Sequence, residues 1–301
     1  MMQNKVIVVA GPTASGKTAL SIEIAQKLNT EIINCDSRQL YQELNIGVAR
    51  PTREELNAVK HHFVAEFSIF SPVSAGSFSS AARLMLHRIV KEKGTVVVCG
   101  GTGLYLKALL HGFDDLPEVN SEIRQKVNRI YENEGIPALI QAIEQLDSEA
   151  VNSQMRQNPA RLKRTLELLW QSPGKKLVDL RKNQEKLLPY PTDIICINHQ
   201  KEALYARINE RVDQMIEAGL KKEARELFPY KHLESLKTVG YSEYFRHFEG
   251  ELNEEECINL IKQHTRNYAK RQVTWFKNQT PARWVEPKQS IDSIFASISN
   301  D

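Results

Sequence analysis

Eight residues, GPTASGKT at 11–18, set Gly11, four residues, Gly16, Lys17 and Thr18 in one run. Such a run serves wherever a polyphosphate must be held. The glycines let the backbone turn tightly and come close to an anion, so the amides of Ser15, Gly16 and Lys17 can face phosphate oxygens. Lys17 adds a mobile ammonium, and the Thr18 hydroxyl can ligate Mg²⁺. Pro12, Thr13 and Ala14 complete the loop. Holding phosphates is not a reaction, however, and kinases, ATPases and other transferases all need it. The competing reading is a plain glycine turn between a strand and a helix.

Two further stretches carry chemistry-bearing groups. CDSRQ at 35–39 offers Asp36, Ser37, Arg38 and Gln39, and GGTG at 100–103 offers Thr102. Asp36 has three readings from its chemistry alone: a Mg²⁺ ligand, a base that takes a proton from a nucleophile, or a turn cap. In NERVDQM at 209–215 and the residues just before it, Arg207 and Arg211 stand four apart and share a helix face. Two guanidinium forks there can clamp a diphosphate. The alternative is a solvated face paired with Glu202 and Glu210. His61 and His62 are adjacent, which is poor metal-ligand spacing on a helix.

The elements that must position these groups follow from periodicity. KVIVVAG is a short β-branched run of the kind that makes a buried parallel strand. KTALSIEIAQKLN then has helical apolar spacing at Leu20, Ile24 and Leu28. EIINCD (31–36) and TVVVCGGTG (95–103) read as further strands, separated by an amphipathic helix at 79–94. This alternation predicts an α/β fold with a parallel sheet and flanking helices. Ligands of such sheets bind beyond the carboxyl ends of the strands, so the three polar stretches should converge on one edge. From residue 121 to about 188 only helical stretches are legible, and TDIICINH (192–199) resumes the strand pattern. The expected organisation is a catalytic core of 1–115 and 191–301 with an all-helical insertion at 116–190. The last long helix spans NEEECINLIKQHTRNYAKRQVTWFKN, with Asn253 as its cap and three glutamates in its first turn.

Composition narrows the class. The chain has 301 residues, 41% of them apolar and 26% charged, with a net charge of +3. That balance alone does not indicate nucleic acid, so any such case rests on local clustering. From Arg156 to Lys182 the bases are Arg156, Arg161, Lys163, Arg164, Lys175, Lys176, Arg181 and Lys182, against only Glu167 and Asp179. From Lys262 to Lys277 there are Lys262, Arg266, Lys270, Arg271 and Lys277 with no acid, interleaved with Tyr268, Trp275 and Phe276. Bases with aromatics suit a single-stranded nucleic acid. Against that, Ile261, Thr265, Tyr268, Gln272 and Phe276 have the spacing of a packed helix face. The four cysteines, Cys35, Cys99, Cys196 and Cys257, are far apart in sequence, which argues against disulfides or structural zinc and fits a reducing cytoplasm. The apolar run near the N-terminus is too short for a membrane span and lacks a cleavage site.

Together these motifs resemble one family, the tRNA dimethylallyltransferases, also called tRNA isopentenyltransferases or IPP transferases. The matching pieces are GPTASGKT at 11, DSRQLY at 36, GGTGLY at 100, NPARLKRTLE at 158, VGYSEY at 239 and TRNYAKRQVTWF at 265. The phosphate loop alone is unspecific, whereas the last motif together with DSRQLY is highly specific. The resemblance implies a P-loop NTPase-like sheet and a prenyl transfer. A dimethylallyl group would move from dimethylallyl diphosphate, with Mg²⁺, to the exocyclic amine of the adenine just 3′ of the anticodon, in tRNAs reading codons that begin with U.

By that resemblance the catalytic residues are Asp36 as base, Thr102 near the reacting centre, Lys17, Thr18 and Arg211. Residues 11–18 with Arg207 and Arg211 would hold the diphosphate. Asp36, Ser37, Arg38, Gln39 and Thr102 would meet the target nucleotide. Further tRNA contacts would be Arg124, Ala160, Arg161, Leu162, Lys163, Arg164, the stretch Leu236 to Tyr241 with Gly240 and Tyr241, and Arg266, Lys270, Arg271, Gln272, Trp275 and Lys277. A monomer is expected, since one-on-one tRNA binding needs no symmetry. Two positions depart from the common pattern: Arg38, where members often have Met, and Ser242, where many have Arg. The stop soon after RWVEP, with no zinc-finger extension, fits bacterial members. Three other readings compete. A small-molecule kinase leaves the basic helices unexplained. A transferase for free adenine nucleotide does not need them. A non-catalytic RNA-binding protein leaves Lys17, Thr18 and Asp36 idle.

Overall fold

The computed structural model describes residues 4–114, 116–181, 186–287 and 289–298. In chain order the elements are β1 (Lys5–Ala10), α1 (Lys17–Lys27), β2 (Ile32–Asn34), α2 (Arg53–Ala58), β3 (His61–His62), α3 (Ala75–Lys93), β4 (Thr95–Gly100) and α4 (Gly103–His111). Then come α5 (Ser121–Leu146), α6 (Pro159–Gln171), α7 (Leu177–Leu180), β5 (Thr192–Ile197), α8 (Lys201–Glu217), α9 (Leu220–Leu227), α10 (Tyr241–Phe248), α11 (Glu254–Gln279), β6 (Arg283–Val285) and α12 (Ile291–Ile298). Two compact units result: Met1–Leu110 with Leu188–Asp301, and His111–Leu187. The helical unit thus runs from residue 111 to 187 and not from 116 to 190. Leu188 and Tyr190 pack on the sheet's core, and Leu188 N–H donates to the Leu110 carbonyl at 3.3 Å.

In the first unit the six strands lie in the order β3-β2-β4-β1-β5-β6, all parallel. Side chains alternate across a strand, so β1 feeds two cores. Val6, Val8 and Ala10 join Val96, Val98 and Cys196 on one face, covered by Phe78, Leu86 and Ile89 of α3 and by Tyr241, Tyr244 and Phe276 of α10 and α11. Ile7 and Val9 join Val97, Ile195 and Val285 on the other, covered by Ile24 and Ala25 of α1 and Ile294 of α12. Burial on both faces is why the strands are continuously apolar. The edge strands β3 and β6 leave no signal in the sequence, because two and three residues are too few for a period-two pattern. β2 is shorter than 31–36: Cys35 and Asp36 leave the strand, and the Glu31 carboxylate takes a hydrogen bond from His62 Nε2 at 2.6 Å.

The helical unit has its own core of Val127, Leu139, Ile143, Leu162, Leu166, Leu169 and Leu177. Helix α5 is broken at Gly135, whose φ of 73° and ψ of −159° are open only to glycine, and Pro137 restarts it. Asn158 caps α6 by accepting from Arg161 N–H at 3.1 Å. Asn253 caps α11 in a reciprocal pair with Glu256. Among the described residues no helix is long and apolar enough to cross a membrane.

Candidate active site

The run 11–18 leaves the carboxyl end of β1 and enters α1. Gly11 has φ of 134° and Gly16 of 96°, and Ala14 adopts a left-handed φ of 61°. The Ala14 carbonyl accepts from Arg207 Nε at 2.8 Å, and the Ser15 carbonyl lies 2.9 Å from His199 Nε2. Helix α1 begins at Gly16 with no side-chain cap, so its first amides have no side-chain acceptor. The Ser15 hydroxyl is buried with no hydrogen-bond partner in the protein. An uncapped helix N-terminus and an orphaned buried hydroxyl are what an anion would complete. Lys17 Nζ folds back on the Pro12 carbonyl at 2.7 Å. Its burial lowers its pKa, with nearby Cys99 and Asp36 acting in the opposite sense.

Arg211 Nη1 stands 3.5 Å from Thr13 Oγ1. Burial lowers the pKa of its guanidinium, and the neighbouring positive Arg207 lowers it further. The α8 face that carries both arginines is therefore turned to the loop, and Glu202 and Glu210 do not hold it. Two like charges kept together at a phosphate loop, with Glu55 as the opposing charge on Arg211, suit an anion with paired oxygens.

Asp36 sits where β2 gives out. Its Oδ1 accepts from the amides of Arg38 at 2.9 Å and Gln39 at 3.4 Å, so the turn-cap reading holds for one oxygen. The other oxygen takes no part in that turn. Thr102 Oγ1, from the turn after β4, accepts from Ser37 N–H at 3.1 Å. Tyr268 of α11 sits against this pair: burial raises its phenol to about 12, the Asp36 charge adds to this, and a hydrogen bond with Thr102 opposes it. Asp36, Lys17, Thr102 and Tyr268 thus converge at one edge of the sheet.

The arrangement fits a magnesium ion held mainly by a substrate. Among the described residues no group of three or more His, Cys, Asp or Glu could hold a metal. The half-buried Thr18 hydroxyl opens α1 beside the phosphate loop. Mg²⁺ keeps several waters and binds through one or two protein oxygens plus phosphates, which suits this donor set. His61 and His62 form β3, with His62 engaged by Glu31.

Several residues expected at the RNA surface are interior. Leu162 and Tyr241 are 0% exposed and Gln272 6%. Leu162 fills the core of the helical unit, and Gly240 is a buried turn with φ of 99°. Tyr241 donates to Glu223 at 2.6 Å, and that carboxylate also accepts from the amides of Ile46 and Gly47. The Arg38 guanidinium donates to the carbonyls of Glu234, Ser235 and Lys237, and Gln39 Nε2 to those of Val48 and Ala49. These side chains brace the 36–51 segment. Trp275 packs on Gly103, where an added Cβ would lie 2.3 Å from its ring. Arg266 donates to Asn209 at 2.7 Å, while Lys270, Arg271 and Lys277 are exposed on α11.

In the helical unit Arg124, Ala160 and Arg161 are exposed, and Lys163 donates to Asn128 at 3.1 Å. Arg156 pairs with Glu144 at 2.7 Å and Arg164 with Glu167 at 3.4 Å. Burial and the positive charges of Arg164 and Arg161 lower the pKa of Arg181, so three guanidinium groups gather in one place. Lys182 lies outside the described residues. Sequence reasoning missed His199 and the placement of Tyr268. His199 stands just past the carboxyl end of β5, where the rule that located Asp36 and Thr102 would have found it.

The family model for IPP transferases matches residues 39–279. A tRNA dimethylallyltransferase of Cytophaga hutchinsonii is 42% identical over 94% of this chain and 92% of its own. Among solved structures, the tRNA isopentenylpyrophosphate transferase of Bacillus halodurans aligns with a TM-score of 0.71 at 31% identity, over 99% of this chain and 95% of that one. A eukaryotic dimethylallyltransferase acting on tRNA aligns with a TM-score of 0.82 at 26% identity, over 99% of this chain and 79% of that one.

Proposed function

The chain belongs to the IPP transferase family, and on that premise we propose that it moves a dimethylallyl group from dimethylallyl diphosphate to tRNA. The acceptor is the exocyclic amine of the adenine immediately 3′ of the anticodon, in tRNAs reading codons that begin with U. The amine nitrogen bonds to the allylic carbon, that carbon's bond to diphosphate breaks, and one amine proton is lost. The products are N6-dimethylallyladenosine and diphosphate.

The observation that carries this reading is the meeting of two chemistries at one edge. The loop with Lys17, Arg207 and Arg211 suits a diphosphate, and Asp36 stands close enough for its charge to oppose the lowering of the Lys17 pKa by burial. An adenine amine is a poor nucleophile because its lone pair is delocalised into the ring. The Asp36 carboxylate accepts its proton as the new bond forms. Positive charge develops on the allylic carbon while negative charge develops on the leaving diphosphate. The α1 N-terminus, the loop amides, Lys17, Arg207 and Arg211 stabilise that leaving group. Thr102, tied to Ser37, steadies the segment that presents Asp36. Thr18 would hold Mg²⁺, which when bound supplies charge neutralisation to the diphosphate.

Two basic surfaces suit the RNA backbone. Lys270, Arg271 and Lys277, with Arg266, line α11. Arg124, Arg161, Lys163, Arg164 and Arg181 lie in the helical unit. The target base leaves its stack to reach Asp36, which costs little in an unpaired loop. The enzyme works in the cytoplasm as a monomer, one chain to one tRNA.

The test supplies the purified protein with Mg²⁺, labelled dimethylallyl diphosphate and two acceptors in separate tubes. One is an unmodified anticodon stem-loop with adenine 3′ of the anticodon, the other AMP. Label in the stem-loop alone is the expected result. Label in AMP and not in the stem-loop would replace tRNA with a free nucleotide as substrate.

A further inference from the structure

Gln272 sits on α11 in the interior, and both ends of its amide are engaged by other segments. Its Oε1 accepts from Thr13 N–H at 2.9 Å, in the phosphate loop. Its Nε2 donates to the Gly101 carbonyl at 2.8 Å, in the turn after β4. The fit is close: a Cβ on Gly101 would lie 2.4 Å from Nε2 and 3.1 Å from the Gly11 carbonyl. Three residues on, the Trp275 ring lies on Gly103 of the same turn. Helix α11 is thus seated on both glycine-rich turns through Gln272 and Trp275, while Lys270 and Arg271 point outward.

We propose that Gln272 is a positioning residue for the diphosphate donor. It fixes the phosphate loop at the spacing from the Gly101–Gly103 turn that donor binding and transfer require, and it makes no contact with RNA. The proposal rests on the assignment of dimethylallyl diphosphate to the loop. Thr13 belongs to the segment on which Arg211 and Arg207 also rest, through Thr13 Oγ1 and the Ala14 carbonyl. Releasing the Thr13 amide would loosen the loop exactly where those arginines meet it. A primary amide suits this place because it offers one acceptor and one donor at fixed separation and does not titrate. A carboxylate of the same shape can accept from Thr13 but cannot donate to Gly101 until it is protonated. Burial raises a carboxyl's pKa, while Lys17, Arg207 and Arg211 on the phosphate loop act in the opposite sense, and the protonated form gains ground only as pH falls.

The deciding variant is Gln272→Glu in the full-length protein, with Gln272→Leu beside it. Donor KM and kcat are measured from pH 6 to pH 8 as ratios to wild type, and stem-loop affinity is measured without donor. For Gln272→Glu the donor KM should rise about tenfold at pH 8, as expected for unmaking one buried hydrogen bond. The gap should narrow as pH falls, with stem-loop affinity within twofold of wild type. For Gln272→Leu the rise should be independent of pH. If the leucine variant does not fold, the isosteric glutamate decides alone. A weakened stem-loop affinity with unchanged donor KM would overturn the proposal, as would a donor KM at the wild-type value in both variants. Failure of the donor assignment has a different signature: wild type itself would transfer no label from dimethylallyl diphosphate.

Discussion

Asp36, the proposed base, also has a structural part. Oδ1 organises the turn at Arg38 and Gln39, and the proposed role gives the substrate proton to the second oxygen. Asp36→Ala should therefore lower kcat by about 10²–10⁴, while stem-loop affinity changes little. Turnover within about tenfold of wild type would remove the base role. Lys17 makes a separate prediction through pH. Its pKa is lowered, chiefly by burial, so the ammonium of the free enzyme is lost earlier on the alkaline side than for an ordinary lysine. The alkaline limb of kcat/KM for the donor should lie below about 10.4. A limb at or above that value would mean that the lysine charge is not what the donor needs.

Elements place these residues through contacts that substitutions can probe. Gly100 ends β4 against Cys35, where an added Cβ would lie 2.2 Å from the Cys35 carbonyl oxygen. A backbone atom cannot rotate away as a side chain can. Gly100→Ala should cost about 3 kcal/mol or more in a denaturant titration, and an unchanged midpoint would mean that β2 and β4 separate easily. On α11, changing Lys270 and Arg271 to Ala should weaken stem-loop binding and make the slope of log K against log salt shallower by about 1–2. An unchanged slope would remove this face from the RNA surface.

The same elements explain how much was legible in advance. β1, β4 and β5 were readable because strands buried on both faces need unbroken apolar runs, and α11 because its cap and periodicity agree. Asp36 and Thr102 followed from the rule that places ligands beyond the carboxyl ends of strands. Tyr241 reads as an RNA contact because motif spacing does not reveal which way a side chain points, whereas Gln272 also has the packed-face spacing of α11 and is buried there. A polar residue held by other parts of the chain looks, in sequence, like one awaiting a ligand: Glu223 holds Tyr241, and the Thr13 amide and Gly101 carbonyl hold Gln272. Arg38 belongs to the same class: its guanidinium ties the 36–39 turn to the carbonyls of 234–237.

At the scale of the whole molecule, a net charge of +3 is too small to account for nucleic-acid binding, and its distribution does the sorting. Bases gather on α11 in one unit and around Arg161, Arg164 and Arg181 in the other, while the sheet edge sets Lys17, Arg207 and Arg211 near Asp36. On the proposed function this phosphate loop serves a leaving diphosphate and not the transfer of phosphate. The most direct measurement runs two reactions on the wild-type protein with Mg²⁺ and the stem-loop, one supplied with dimethylallyl diphosphate and the other with ATP labelled in its terminal phosphate. Diphosphate release equal to the adenine modified is expected in the first, and neither free nor RNA-bound labelled phosphate in the second. Turnover of ATP with no modified adenine in either tube would contradict that function.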